Sequence, residues 1–187
     1  MSLRFEFQPT EINDLCIVQK VPITDIRGSF TRMFCARDFA ELGLTKPIVQ
    51  INHSVNYGKG MVRGMHCQIP PSAETKIVSC LRGKIFDVAI DLRAGSKTFL
   101  KWHGEELSEE NQKAVFIPEG FAHGFQILED HCTLLYLHTN FYTPGAELSF
   151  NVMDPKFDIS WPLPISKISE RDEAHAFMAK DFSGIKL

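Results

Sequence analysis

Short strand-like segments recur along this chain at roughly ten-residue spacing, with turn residues between them. Residues 15–18, 29–34, 47–54, 76–81, 85–91 and 113–117 read this way. Residues 124–128 and 132–138 read as a hairpin joined at Glu129-Asp130, and 150–152 suit one last strand. Arg82-Gly83, Ala94-Gly95-Ser96 and Pro118-Glu119-Gly120 are the intervening stops. Such spacing favours a sandwich or barrel. There is no strand–helix alternation and no G-x-G-x-x-G, so a doubly wound nucleotide fold is disfavoured. Helical character is confined to 36–42, ended by Gly43, and to 169–180. The expectation is an all-β jelly-roll fold with a few short helices, one domain over residues 1–187.

Alternation within the segments assigns faces. Phe86, Val88 and Ile90 point one way, and Asp87, Ala89 and Asp91 the other. Gln50, Asn52 and Ser54 share a face, as do Cys132, Leu134, Tyr136 and His138. A hydrophobic content of 44% with fifteen Phe is ample for a core. Net charge is -3 without a basic run, which argues against nucleic acid as a partner. Five scattered cysteines with no C-x-x-C pair argue against a disulfide framework or a zinc knot. No signal peptide or membrane-spanning stretch is evident, so no membrane partner and a cytoplasmic setting are expected.

Arg63-Gly64-Met65-His66-Cys67-Gln68 packs a cation, a hinge, an imidazole and a carboxamide into one stretch. Glycine lets the backbone turn where side chains converge, and histidine titrates near working pH. The plain alternative is a surface turn with a chance histidine. Lys76 opens a strand after the Pro70-Pro71 loop, where lysine is usually solvated. A strand tyrosine such as Tyr136 is usually packing, and His123, in the Gly-flanked stretch 118–125, could merely satisfy a turn. Asp172, in Ser169-Glu170-Arg171-Asp172, would by default be a helix-start carboxylate.

Five segments in order change the weighting: Asp25-Ile26-Arg27-Gly28-Ser29-Phe30, Gln50-Ile51-Asn52-His53-Ser54, Arg63 to Gln68, Phe86 to Arg93, and Ile117 to Phe125. Together they resemble the dTDP-4-dehydrorhamnose 3,5-epimerase family of cupin-fold sugar-nucleotide enzymes, from about residue 25 to residue 172. The resemblance implies a cupin-type jelly-roll β-sandwich or barrel. It implies an isomerase that inverts C3 and C5, or one of them, of a nucleoside-diphosphate 4-keto-6-deoxy sugar. The dTDP-4-keto-6-deoxyglucose to dTDP-4-dehydrorhamnose conversion is the leading case. His66 would be the base, Asp172 its dyad partner and Tyr136 the acid on the opposite face. Lys76 and Arg63 would stabilise the enolate oxygen. Arg27 and Arg63 would hold the diphosphate, and Phe30 would pack near the base. Gln50, Asn52, His123 and Glu147 match positions near the sugar or nucleotide. The resemblance also implies a homodimer that exchanges N-terminal strands, with no metal and no redox cofactor.

The departures fall where nucleotide or sugar would be read. Arg32 stands where the family usually has Glu, and Val152 where it usually has Trp. Cys67 replaces an aromatic, and Leu137 a basic or polar residue. A GDP- or CDP-linked 4-keto sugar is therefore the alternative substrate. The main rival function is a metal-dependent cupin oxygenase, because Pro118-x-Gly120-x-x-His123 resembles half of a cupin metal signature. Residues 64–68 offer only one His and a Gln to the other half, short of a facial triad. A silent binding module would lack the base or the acid. A 3,4-ketoisomerase would lack the Arg-Gly-x-His context.

Overall fold

The structure, a computed structural model, describes residues 4–187. In chain order the first strands are β1 (Phe5–Pro9), β2 (Cys16–Lys20), β3 (Ile23–Asp25), β4 (Gly28–Phe30) and β5 (Gln50–Tyr57). Then come β6 (Val62–Gln68), β7 (Lys76–Arg82), β8 (Lys84–Asp91) and β9 (Trp102–Ser108). The last are β10 (Lys113–Ile117), β11 (Phe121–Ile127), β12 (His131–His138) and β13 (Glu147–Ser149). Two four-residue helices, α1 (Ala36–Phe39) and α2 (Glu170–Glu173), complete the elements with a 3₁₀ turn at Ala40–Leu42.

Two antiparallel sheets face each other. One runs β1-β2-β10-β7-β12-β5 and the other β13-β6-β11-β8-β9. This is the jelly-roll sandwich expected from the strand spacing. Val78, Val115, Ile117 and Leu134 from the first sheet meet Ile85, Leu107, Phe125 and Ile127 from the second in the central core. Each sheet also buries its outer face. Phe39 of α1 and Leu44 cover Val18, Ile77, Phe116 and Leu137 on the six-stranded sheet. The irregular C-terminal segment, with Phe150, Phe157, Met178 and Ile185, covers Val62, Val88, Ile90 and Ala122 on the other. The alternation of β8 is as expected, but both faces are buried, so Asp87 and Asp91 sit inside the protein. A one-residue slip would turn Asp87 and Asp91 into the apolar layer that holds Val88 and Ile90, so the register is strongly specified.

Several boundaries differ from the sequence reading. Residues 124–128 and 132–138 do not form a hairpin. β11 pairs with β6 and β8, whereas β12 pairs with β5 and β7 in the opposite sheet. Both flanks of each strand are taken by non-local neighbours, so the short connection crosses between sheets. Residues 150–152 lie just beyond β13, and Phe150 and Val152 are core residues there. The helix expected over 169–180 is only α2. Its Ser169 N-cap is satisfied by the Asp172 N–H, and Asn151 binds the freed carbonyls of Glu173 and His175. The strand expected over 29–34 ends at Phe30, in a small hairpin with β3. Residues 62–68 are strand, not a surface turn. Among the described residues no helix is long and apolar enough to cross a membrane.

Lys20 on β2 is 2% exposed, and its Nζ donates to Ser79 Oγ at 3.0 Å and the Lys113 carbonyl at 3.2 Å. Burial pushes its ammonium down to about 8. An unfolded lysine titrates near 10.4. The cost of charging Lys20 in the fold is therefore full below about 8 and fades as pH rises through this window. The native chain should gain stability across it. Lys20→Met should not, so urea midpoints of the two should shift in the native chain's favour between about pH 8 and 10. A stability difference independent of pH would contradict this.

Candidate active site

The space between the sheets is filled by aliphatic side chains at one end and opens at the other into a cavity of about 620 Å³. Its wall on the six-stranded sheet includes Asn52 and Ser54 of β5, Lys76 of β7, and Tyr136 and His138 of β12. Opposite are Arg63 and His66 of β6, His123 and Phe125 of β11, and Glu147 of β13. The C-terminal segment closes one side with Lys167, Ser169, Arg171 and Asp172.

Arg63 and His66 are three residues apart, so regular alternation would send them to opposite faces. Instead both line the cavity. The pairing of β6 with β11 is irregular here: His123 faces His66, but Phe125 faces Arg63. The extra residue is a bulge, which re-aims side chains. Glycines permit it. Gly64 has φ +131°, and a Cβ there would lie 2.6 Å from Gly124 Cα. A Cβ on Gly124 would lie 2.4 Å from Met65 Sδ and 2.7 Å from the Arg63 carbonyl.

Three histidine–carboxylate pairs surround the cavity. His66 Nε2 lies 2.8 Å from Asp172 Oδ1. Burial pushes the Asp172 carboxyl up, but the His66 hydrogen bond and the Gly64 N–H outweigh it and hold it below the usual carboxylate range. An ionised Asp172 accepts Nε2–H and leaves His66 Nδ1 as the basic nitrogen. His123 Nε2 lies 2.8 Å from Asp87 Oδ2, with Asp87 Oδ1 buried and unpartnered. His138 Nδ1 lies 2.8 Å from Glu74 Oε2, and Glu74 Oε1 is 3.3 Å from Lys76 Nζ. Burial raises Glu74, yet His138 and Lys76 bring it below the ordinary range, so the carboxylate anchors both. Burial drives the Tyr136 phenol upward, with the Ser54 hydroxyl opposing, so Tyr136 stays protonated and can donate.

The structure thus gathers His66, Asp172, Tyr136, Lys76, Arg63, Asn52, His123 and Glu147 at one cavity. Glu147 is held by Ser149 Oγ at 3.0 Å and by Arg171. Gln50 lies off the cavity wall, where its side chain meets Asn52 and the backbone N–H of Tyr142. Arg27 and Phe30 are not brought to this cavity within one chain. They sit on the exposed β3–β4 hairpin, where Arg27 pairs with Asp25. Asp172 is 4% exposed, not a solvated helix-start acid. Cys67 is buried, which pushes its thiol up to about 12 and leaves it unreactive.

Asp87, Glu74 and His175 escaped the sequence reading as site residues. An acid inside the apolar run of β8 needs a buried partner, which is a usable signal for Asp87. Glu74 lies in a loop with no periodicity to mark it. His175 stands 3.5 Å from Asp172 Oδ1, so the dyad has a second imidazole beside it.

An imidazole–carboxylate pair and a protonated phenol on opposite walls of an inter-sheet cavity give this jelly-roll sandwich the groups of an acid–base enzyme. Residues 9–180 match the family described as dTDP-4-dehydrorhamnose 3,5-epimerase. The chain is 42% identical over 164 residues to dTDP-4-dehydrorhamnose 3,5-epimerase of Shigella flexneri, covering 87% of this chain and 90% of that one. It superposes on the dTDP-4-dehydrorhamnose 3,5-epimerase of Elizabethkingia anophelis NUHP1 with TM-score 0.90, at 36% identity, covering 96% and 99% of the two chains. Against dTDP-6-deoxy-D-glucose-3,5-epimerase of Legionella pneumophila Philadelphia 1, solved with dTDP-4-keto-L-rhamnose, the TM-score is 0.88. Identity there is 39%, over 92% of each chain. The protein belongs to the dTDP-4-dehydrorhamnose 3,5-epimerase family.

Gly64→Ala should cost about 1–3 kcal/mol for overpacking and a similar amount for strain. Gly95→Ala, with φ +76° but nothing within 4 Å of its Cβ, should show only the strain. Equal denaturation midpoints for the two variants would contradict a close β6–β11 approach.

Proposed function

We propose that the chain inverts C3 and C5 of dTDP-4-keto-6-deoxyglucose, giving a dTDP-4-dehydrorhamnose-type product. The observation that carries this is the pair formed by His66–Asp172 on one side of the cavity and Tyr136 on the opposite sheet. Hydrogens at C3 and C5 are both alpha to the C4 ketone. His66 Nδ1 removes one, Asp172 stabilises the imidazolium, and the electron pair moves into the carbonyl to form an enolate. Lys76, oriented by Glu74, and Arg63 meet the charge on O4. Tyr136 returns a proton from the other face, and the cycle repeats at the second carbon. The reading needs no metal or redox cofactor.

Arg63 has no carboxylate partner among the described residues, which leaves its guanidinium for diphosphate oxygens. Arg27 and Phe30 would serve from a second copy. Ile23, Ile26 and Phe30 are exposed on the hairpin, and Ile51 and Val55 on edge strand β5. These apolar surfaces support a homodimer in which each hairpin completes the partner's site. Five free thiols support a reducing, cytoplasmic setting.

A panel of dTDP-, GDP- and CDP-linked 4-keto-6-deoxy sugars in deuterated water, read by NMR, tests the assignment. The dTDP sugar should take deuterium and invert at both carbons. His66→Ala should lose turnover by roughly 10²–10⁴-fold. Retained exchange in His66→Ala would remove it as the base, and preference for a GDP or CDP sugar would reassign the nucleotide.

A further inference from the structure

We propose that His66, Asp172 and His175 form a binding site for a zinc-type divalent cation, and that its occupation silences the catalytic dyad. His66 Nε2 and His175 Nε2 both approach one carboxylate oxygen, Asp172 Oδ1, at 2.8 and 3.5 Å. The three atoms all lie within 4.8 Å of one another. The two rings meet edge to face, with centroids 5.7 Å apart and planes at 84°.

The hydrogen bonding of this cluster is incomplete. Asp172 Oδ1 accepts from His66, while the buried His175 Nε2 has no hydrogen-bond partner. A buried polar atom left unpaired is costly to the fold. A cation between the three atoms would satisfy all of them. Zinc bonds of about 2.0–2.1 Å place tetrahedral ligands roughly 3.3 Å apart, and the two observed separations bracket that spacing. Two imidazoles and one carboxylate suit zinc, cobalt or nickel rather than magnesium or calcium.

The ligands are positioned in advance. Asp172 and His175 are i,i+3 on the turn that α2 begins, so their side chains lie on one side of it. Ser169 fixes the start of this turn, and Asn151 Nδ2 holds the His175 carbonyl at 3.2 Å. His66 comes from β6 across the chain. His66 and Asp172 also line the cavity, so a cation held here would share two side chains with the substrate space.

Occupation changes the chemistry by a proton count. In the dyad, His66 carries its proton on Nε2 and presents a basic Nδ1. A cation on Nε2 moves that proton to Nδ1, with none gained or lost overall. The nitrogen facing the sugar is then a donor, and Asp172 is engaged by the metal. Proton abstraction stops without any change of fold.

Cobalt(II) titration of the full chain, followed by visible absorption, reads binding directly. Zinc inhibition of sugar-nucleotide turnover reads the consequence, which alone rests on the proposed epimerase reading. The native chain should bind one cobalt with low-symmetry, four- or five-coordinate bands, displaced by zinc. Zinc should abolish turnover and a chelator restore it. His175→Ala and His175→Gln should bind cobalt at least roughly 10–100-fold more weakly, and the turnover each retains without metal should be correspondingly less sensitive to zinc. No one-to-one cobalt spectrum, or unchanged zinc sensitivity in both variants, would overturn the site. Stoichiometric cobalt binding by a chain that turns over no 4-keto sugar would support the site and strike only at the epimerase reading.

Discussion

Two residues without side chains, Gly64 and Gly124, let β6 and β11 approach more closely than any Cβ would allow. The bulge at that contact turns Arg63 and His66 into one cavity. Without it, alternation would bury one of them in the outer core beneath the C-terminal segment. The same strand then fixes the far end of the chain. His66 and the Gly64 N–H both bind Asp172, and Met65 and Phe150 exchange backbone hydrogen bonds at 3.1 and 3.0 Å. The irregular C-terminal segment therefore does two jobs. It covers the outer face of the five-stranded sheet and supplies the carboxylate of the dyad.

Carboxylates in low-dielectric surroundings are costly unless paired. Here Asp172, Asp87 and Glu74 each hold an imidazole at 2.8 Å, and Glu74 also meets Lys76. Each pair joins different parts of the chain: β6 with α2, β11 with β8, and β12 with the loop before β7. The pairs fix ring orientation and tautomer before any substrate enters, which is the preorganisation that electrostatic catalysis requires. Closing the sandwich and arming the cavity are thus parts of one arrangement.

The sandwich was legible because turn residues and period-two alternation are local signals. Faces were read correctly on β8 and β12, where Val88 and Ile90 part from Ala89, and Leu134 and Tyr136 from Leu135. Pairing was less legible. The supposed hairpin of residues 124–138 failed because neighbours in a jelly roll are distant in sequence, and no local pattern records them. The dyad, the phenol and Lys76 came from motif resemblance rather than from spacing. Glu74, which holds Lys76, lies outside every matching segment and became visible only through distance and burial, whereas Asp87 lies within the matching stretch Phe86 to Arg93 and only the structure shows it as the partner of His123. Arg27 and Phe30 remain apart from the cavity of their own chain, on the exposed β3–β4 hairpin.

The central claim is that proton removal and proton return come from opposite sheets. It is tested most directly by Tyr136→Phe turning over a dTDP-linked 4-keto-6-deoxy sugar in deuterated water. Removing the phenol should leave deuterium washing into the substrate through His66, while inversion, above all at C5, falls by roughly 10²–10⁴-fold. Inversion at the native rate, with exchange and inversion still coupled, would contradict the two-sided arrangement.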